Sequence, residues 1–313
     1  MTALTLPLTD TMPTTVTARN GGRTKALRAP FTYFGGKGMM VGKLLRLLPS
    51  HRQYCEPFLG SGAVLFAKEP CEHETVNDVD GDVMAFFAQL RDNGAWFHER
   101  AAMTPHHEAE FKEARDTWAT EPDPRERAWK WWIVAARVFS GRLEGTSTAE
   151  SHTRTCVGRG MPGGVSRWRS RCDLLQAFVD RLLRVQFLCG DFERALRCTD
   201  TPDCLHFLDP PYVHETRRAH HGYAHEMTLA DHERMVRWLR DEMQGKAILC
   251  GYRHEVYAPL EQASWVRKDF ATDCSAAGRT QATGILGEGE GMRMQGRVES
   301  VWLCPRTARE VGA

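Results

Sequence analysis

The chain lacks any strong excess of charge of one sign: 41 Lys and Arg stand against 40 Asp and Glu, a formal net charge of +1. A polycationic molecule is excluded, and affinity for nucleic acid has to come from a local basic patch. No two of the ten cysteines show the C-x-x-C spacing of zinc sites, and a chain of 313 residues needs no disulfide staples. They read as reduced thiols. No run approaches the ~20 apolar residues of a membrane-spanning helix. Met1 to Asn20 also lacks a basic segment followed by an apolar run, the pattern of a secretory signal. Membrane, secreted and fibrous classes are not expected, and a cytoplasmic location is. There is no internal repeat. The Walker A pattern is missing, because position 38 is Gly rather than Ser or Thr and position 31 is Phe.

What is present is ample material for a core, with 42% hydrophobic and 26% charged residues. At ~150 residues per domain, the length suggests two domains, or one domain carrying an insertion. Residues 1–30, rich in Thr with scattered Pro and Gly, are expected to be a flexible tail. Strand-like and helix-like segments then alternate. A helix is predicted over Gly38–Leu48, a strand over Arg52–Glu56, a helix over Ala63–Lys68, a strand over Glu74–Asp78 and a helix over Gly81–Arg91. This alternation marks an α/β sheet with parallel strands.

The pattern breaks between Gly94 and Ser170, which hold six of the nine tryptophans, a helix around Arg125–Phe139 and no convincing strand. Trp129, Trp131 and Trp132 are expected in the core of this helical segment. Ser151–Arg171 carries five arginines and no acid, and is expected to be a mobile basic loop. Alternation then resumes with a helix over Cys172–Leu183 and strands over Val185–Cys189 and Leu205–Leu208. A helix opens at the capping box Thr228–Asp231 and closes at Gly245, and strands follow over Lys246–Gly251 and Val298–Leu303. Gly284–Gly296 reads as a glycine-rich loop.

Chemistry concentrates at Asp209-Pro210-Pro211-Tyr212, directly after the apolar strand Leu205–Leu208. Ligands of open α/β sheets bind beyond the carboxyl ends of the strands. Two prolines fix the backbone and offer no N–H, leaving carbonyls free beside a carboxylate and an aromatic ring. Such an acceptor pair suits a planar exocyclic amine. Phe58-Leu59-Gly60-Ser61-Gly62 lets the backbone approach a ligand, and Asp78 follows Gly60 by 18 residues, near the ~20-residue spacing at which an acid meets ribose hydroxyls. Leu65 replaces the third glycine of the dinucleotide fingerprint, which counts against NAD and leaves other adenosyl ligands open. His214, His220, His221 and His225 fit no metal-ligand spacing, so no metal is expected, and Val213–Glu226, with Tyr223, reads as a polar loop over the site.

Taken together, these segments resemble the D12-class (Dam-like) DNA adenine-N6 methyltransferases. The resemblance rests on Tyr33-Phe34-Gly35-Gly36-Lys37, Glu56-Pro57-Phe58-Leu59-Gly60-Ser61-Gly62 and Asn77-Asp78-Val79-Asp80. It continues through Gly190-Asp191-Phe192, Asp209-Pro210-Pro211-Tyr212 and Val298-Glu299-Ser300-Val301-Trp302, in the family's order. It implies a Rossmann-like S-adenosyl-L-methionine-dependent sheet with an inserted, mainly helical target-recognition subdomain. The catalytic domain would occupy 31–93 and 172–305, the insert with its basic loop 94–171, and a C-terminal tail 306–313. Tyr33 and Lys37 would contact the cofactor, with Phe58, Gly60 and Gly62 forming its turn. Asp78 would hold the ribose, Asp191 and Phe192 would flank the adenine, and Asp209 would border both ligands.

Asp209, Pro210, Pro211 and Tyr212 would be catalytic. Acceptors at the Asp209 carboxylate and the Pro210 carbonyl would bind the amino group of adenine N6 and turn its lone pair toward the methyl group. The base would flip out of the duplex and Tyr212 would stack on it. Arg137, Arg142, Arg154, Arg159, Arg167, Trp168 and Arg169 are candidate contacts to double-stranded DNA, with Trp168 as a wedge. A cognate restriction nuclease is a candidate partner. Methylation of cytosine N4 or an RNA base is the alternative chemistry, and a non-catalytic DNA-binding scaffold the alternative class.

Overall fold

The computed structural model describes residues 18–20, 23–33, 35–138, 156–216, 225–273 and 296–313. β1 (Ala18–Asn20) and β2 (Arg23–Lys25) pair antiparallel, and the short helix α1 (Val41–Leu44) follows. The first alternating unit is β3 (Gln53–Glu56), α2 (Ala63–Ala67), β4 (His73–Asp78) and α3 (Gly81–Asp92). Asp80 caps α3 by accepting from the N–H groups of Asp82 and Val83. The helical stretch comprises α4 (Gly94–Met103), α5 (Glu108–Thr117) and α6 (Pro124–Arg137), the last started by Pro124 behind an Asp123 cap.

Beyond it, β5 (Val157–Gly158) and β6 (Met161–Pro162) form a small hairpin leading into α7 (Gly163–Cys172) and α8 (Leu175–Leu182). Alternation resumes with β7 (Val185–Cys189), α9 (Phe192–Thr199), β8 (Cys204–Leu208), α10 (Leu229–Asp241) and β9 (Lys246–Gly251). The chain closes with α11 (Ala258–Gln262), β10 (Val266–Asp273), β11 (Gly296–Leu303) and α12 (Pro305–Glu310).

Seven of these strands form one sheet in the order β10-β11-β9-β8-β3-β4-β7. Neighbours are parallel from β9 to β7, while β11 is antiparallel to both β9 and β10, so β11 alone runs against the rest. This is the expected mostly parallel α/β architecture, consistent with a Rossmann-like methyltransferase fold. β8 is buried at every residue, as expected of a central parallel strand, and its one polar member, His206, is held by Asp200 at 3.0 Å. From β3 the chain builds outward through β4 to β7, then returns to β8 on the other side. That reversal opens a crevice beyond the carboxyl ends of β3 and β8.

The tryptophans belong to the core. Trp132 stacks on Phe86 at an interplanar angle of 14°, and Phe31 meets Trp131 edge-on at 5.0 Å. The helices of 94–171 thus share one aromatic core with α3.

Several sequence expectations are corrected. Of the stretch expected to be a mobile basic loop, Cys156–Arg171 is ordered as the β5–β6 hairpin and α7. The helix expected from Cys172 starts at Leu175, after a break at Asp173 and Leu174. Within the expected tail, β1 pairs with β2 and Leu27 is buried. Gly245 is not a left-handed helix cap: a Cβ there would meet the Cys204 carbonyl oxygen at 2.6 Å, so close backbone approach requires glycine. β10 was not anticipated, because the three consecutive charges of Arg267, Lys268 and Asp269 break the two-residue period that marks a strand. Of the glycine-rich loop, 284–295 lies outside the described residues.

Candidate active site

The crevice collects the turns that follow β3, β4, β7 and β8. After β3 the chain bends through Gly60 and Gly62, whose φ values of +48° and +66° side chains rarely tolerate. Gly62 caps α2, and the Gly60 N–H donates to Asp78 Oδ2 at 2.7 Å, joining the bend to the end of β4. The Asp80 N–H donates to the other Asp78 oxygen at 2.9 Å. Burial pushes the Asp78 carboxyl up to about 6 against these hydrogen bonds. Asn77 ties the turns together, its amide donating to the carbonyls of Pro57 at 3.0 Å and Gly190 at 2.9 Å. Tyr33 approaches from the leading segment and its hydroxyl donates to Asp80 Oδ2 at 3.0 Å. Phe58 packs on Phe192 with ring centres 5.4 Å apart. Arg234 of α10 lies 4.5 Å over the Phe192 ring and pairs with Asp191 at 2.7 Å.

On the β8 side, the Lys37 ammonium stands 2.6 Å from Asp209 Oδ1, donates to the Gly35 carbonyl at 3.1 Å and lies 4.7 Å over the Tyr212 ring. Lys37 is only 4% exposed. Tyr212 is buried too, set edge-on against Tyr252 at 4.6 Å, and its hydroxyl donates to Glu299 at 3.4 Å. Burial raises the Asp209 carboxyl; Lys37 opposes that shift and Glu299 adds to it. Below the glycine bend, burial pushes the Glu56 carboxyl up to about 8 although the Tyr54 hydroxyl donates to it at 2.8 Å.

These groups line a cleft of about 380 Å³, the size of a small-molecule site. Of the predicted residues, Tyr33, Lys37, Phe58, Gly60, Asp78, Asp191, Phe192, Asp209 and Pro211 line it, while Gly62, Pro210 and Tyr212 do not. Sequence reasoning missed Glu56, Asp80 and Arg234 as lining residues. Glu56 and Asp80 are the first and last residues of two of the quoted segments, which is the signal that marks them, but nothing in the linear sequence brings Arg234 to Asp191.

The predicted DNA contacts scatter. Arg137 is buried, with its guanidinium donating to the His107 carbonyl at 2.9 Å. Trp168 is not a surface wedge: it is 1% exposed, 5.0 Å from Trp132, and donates to the Thr104 carbonyl. Arg159 is exposed but pairs with Asp173 at 3.1 Å. Arg167 and Arg169 are exposed on α7. Arg142, Arg154, His220, His221 and Tyr223 lie outside the described residues. Among the described residues, no three His, Cys, Asp or Glu side chains gather to hold a metal ion, and no helix is long and apolar enough to cross a membrane.

Residues 33–256 match the family described as D12 class N6 adenine-specific DNA methyltransferase. The chain belongs to that family. A "DNA N-6-adenine-methyltransferase" of Escherichia phage P1 is 24% identical over 223 residues, 68% of this chain and 28% of the phage protein. The "Type II methyltransferase M1.LlaDCHI" of Lactococcus lactis subsp. cremoris is 26% identical over 217 residues, 63% of this chain and 72% of that protein. The D12 match thus spans the glycine bend, the Asp209 turn and the helical stretch between them, and the chain covers little more than a quarter of the phage relative's length.

Proposed function

We propose that this chain transfers a methyl group from S-adenosyl-L-methionine to N6 of an adenine flipped out of double-stranded DNA. The observation that carries the reading is the Lys37–Asp209 pair opening into the same cleft as the glycine bend and Asp78. When bound, the cofactor supplies an electrophilic methyl group on a sulfonium.

The residues fit that group. Phe58 and Phe192 offer apolar ring surface to an adenine, Asp191 an acceptor for its exocyclic amine, and Asp78 an acceptor for ribose hydroxyls. The acids Asp78, Asp80, Asp191 and Asp209 surround the cleft and complement a cationic ligand. Tyr33 and Lys37 close its leading side. The Asp209 carboxylate and the Pro210 carbonyl accept the two N–H groups of the target amine, and Pro211 holds the turn rigid. One N6 proton leaves to Asp209 or to water once the nitrogen carries the methyl group. Tyr212 stacks on the flipped base once Lys37 gives up its place over the ring.

Residues 31–93 and 172–305 serve as the catalytic domain, and 94–171 as the insert that meets DNA through Arg159, Arg167 and Arg169, with Arg142 and Arg154 as further phosphate contacts. The protein acts in the cytoplasm, and a restriction nuclease of the same specificity is a proposed partner.

The test incubates the protein with labelled S-adenosyl-L-methionine and duplex DNA, then digests the DNA to nucleosides. Label in N6-methyldeoxyadenosine is expected. Label in N4-methylcytosine, or in RNA only, redirects the chemistry, and DNA binding without transfer supports a scaffold.

A further inference from the structure

Residues Pro30–Tyr33 belong to no strand or helix, so no backbone ladder fixes them, yet their last member lines the cleft. Side chains from the helical insert hold the first three. The indole N–H of Trp132 donates to the Pro30 carbonyl at 3.1 Å. The Phe31 ring meets Trp131 edge-on. The Arg171 guanidinium donates one N–H to the Ala136 carbonyl in the last turn of α6 and another to Thr32 Oγ1 at 3.0 Å.

Arg171 was expected among the arginines of a basic loop. On α7 it is three residues from the buried Trp168 and so shares its inward face, while Arg167 and Arg169 are exposed. Burial, reinforced by the like charge of Arg167, lowers its pKa to about 10, which leaves it charged at neutral pH.

Tyr33 completes the connection. Its hydroxyl bonds Asp80, and its ring lies so close to Gly60 that a Cβ there would stand 3.2 Å away. An unbroken chain of contacts therefore runs from α6 and α7 through Thr32 and Tyr33 to the glycine bend and Asp80.

We propose that Arg171 is a positioning residue that couples DNA engagement by the insert to cofactor affinity through Thr32 and Tyr33. The inference rests on the function proposed above. Coupling between two ligands is reciprocal and typically amounts to about 5- to 150-fold in affinity.

The measurement is calorimetric titration of S-adenosylhomocysteine, which cannot transfer a methyl group, with and without sheared genomic duplex DNA. The wild type is expected to change its affinity severalfold when DNA is present. Thr32→Val removes the acceptor at an exposed position and should bring that ratio within about twofold of one, with an unchanged melting temperature. Thr32→Ser restores the hydroxyl and should restore the ratio, and Arg171→Ala should lose it. Equal coupling in the wild type and Thr32→Val, or no coupling in a wild type that binds both ligands, overturns the inference while leaving the functional reading intact. A wild type that binds no S-adenosylhomocysteine sinks both.

Discussion

The ammonium of Lys37 lies 2.6 Å from Asp209 Oδ1 and 4.7 Å above the ring of Tyr212, so one cation braces two residues of the turn after β8. Burial and Glu299 raise the Asp209 carboxyl, and Lys37 is the group that opposes them. Lys37→Met removes the opposition. The Asp209 pKa then rises further, and the acidic limb of the pH profile for kcat/KM moves to higher pH. At neutral pH the rate should fall by about 10²-fold, the loss typical of one preorganised electrostatic contact. Initial rates measured across pH 5 to 9 check this, and an unmoved acidic limb would separate Lys37 from the ionisation of Asp209.

Glu56 produces an opposite dependence in stability. Its carboxyl titrates near 8 in the folded protein against an ordinary value of 4.5. Folding therefore favours its protonated form. The resulting stability is fully present below about pH 4.5 and is lost as pH rises through about 8. Glu56→Gln abolishes this titration. The variant is expected to melt higher than the wild type at pH 8.5, with the difference shrinking toward pH 5. Thermal melts at the two pH values are decisive, and a difference independent of pH would refute the buried-acid reading.

Behind the cleft, Glu74 sits between two cations. Lys68 pairs with it at 2.5 Å and Arg181 pairs through both guanidinium nitrogens, with all three side chains buried. Arg181 also donates to the Leu65 carbonyl, so the cluster clamps α2 and its glycine bend to β4. Glu74→Gln leaves two buried cations without a counter-charge. Breaking a buried pair costs on the order of 3–5 kcal/mol, and urea unfolding should register a loss of that size. A loss under 1 kcal/mol would mean that water or rearrangement already compensates the cluster.

How legible the molecule was depended on whether a signal was local. The strand over Leu205–Leu208 was readable because three of its four residues are large and apolar, as a buried central parallel strand requires, and the Asp209 turn because its four residues are contiguous. The Thr228–Asp231 capping box forms as predicted, since its partners lie three residues apart. The segment Arg167-Trp168-Arg169 was misread for a geometric reason. In an extended loop the indole would project with the arginines into solvent, but a helix turns ~100° per residue and sends neighbours to different faces. Once α7 forms, Trp168 points into the aromatic core and the flanking arginines point away. Arg234 at Asp191 was hidden for another reason: 43 residues separate the partners, and only the packing of α10 against the β7 turn brings them together.

That division on α7 predicts two unlike mutants from adjacent positions. Trp168→Ala empties a volume lined by Trp129 and Trp132 and leaves the Thr104 carbonyl without its donor. Truncating a buried Trp costs about 3–5 kcal/mol, so unfolding should shift to markedly lower urea. Arg169→Ala touches an exposed side chain and should leave the melting curve in place. On the proposed DNA-binding role it removes one phosphate contact, so binding weakens alike on all sequences and the slope of log K against log salt falls by about 0.9. Titrations at several salt concentrations separate the cases. A Trp168→Ala protein that melts normally but loses DNA affinity would return the indole to the surface, and an unchanged slope in Arg169→Ala would put the DNA on another face of the insert.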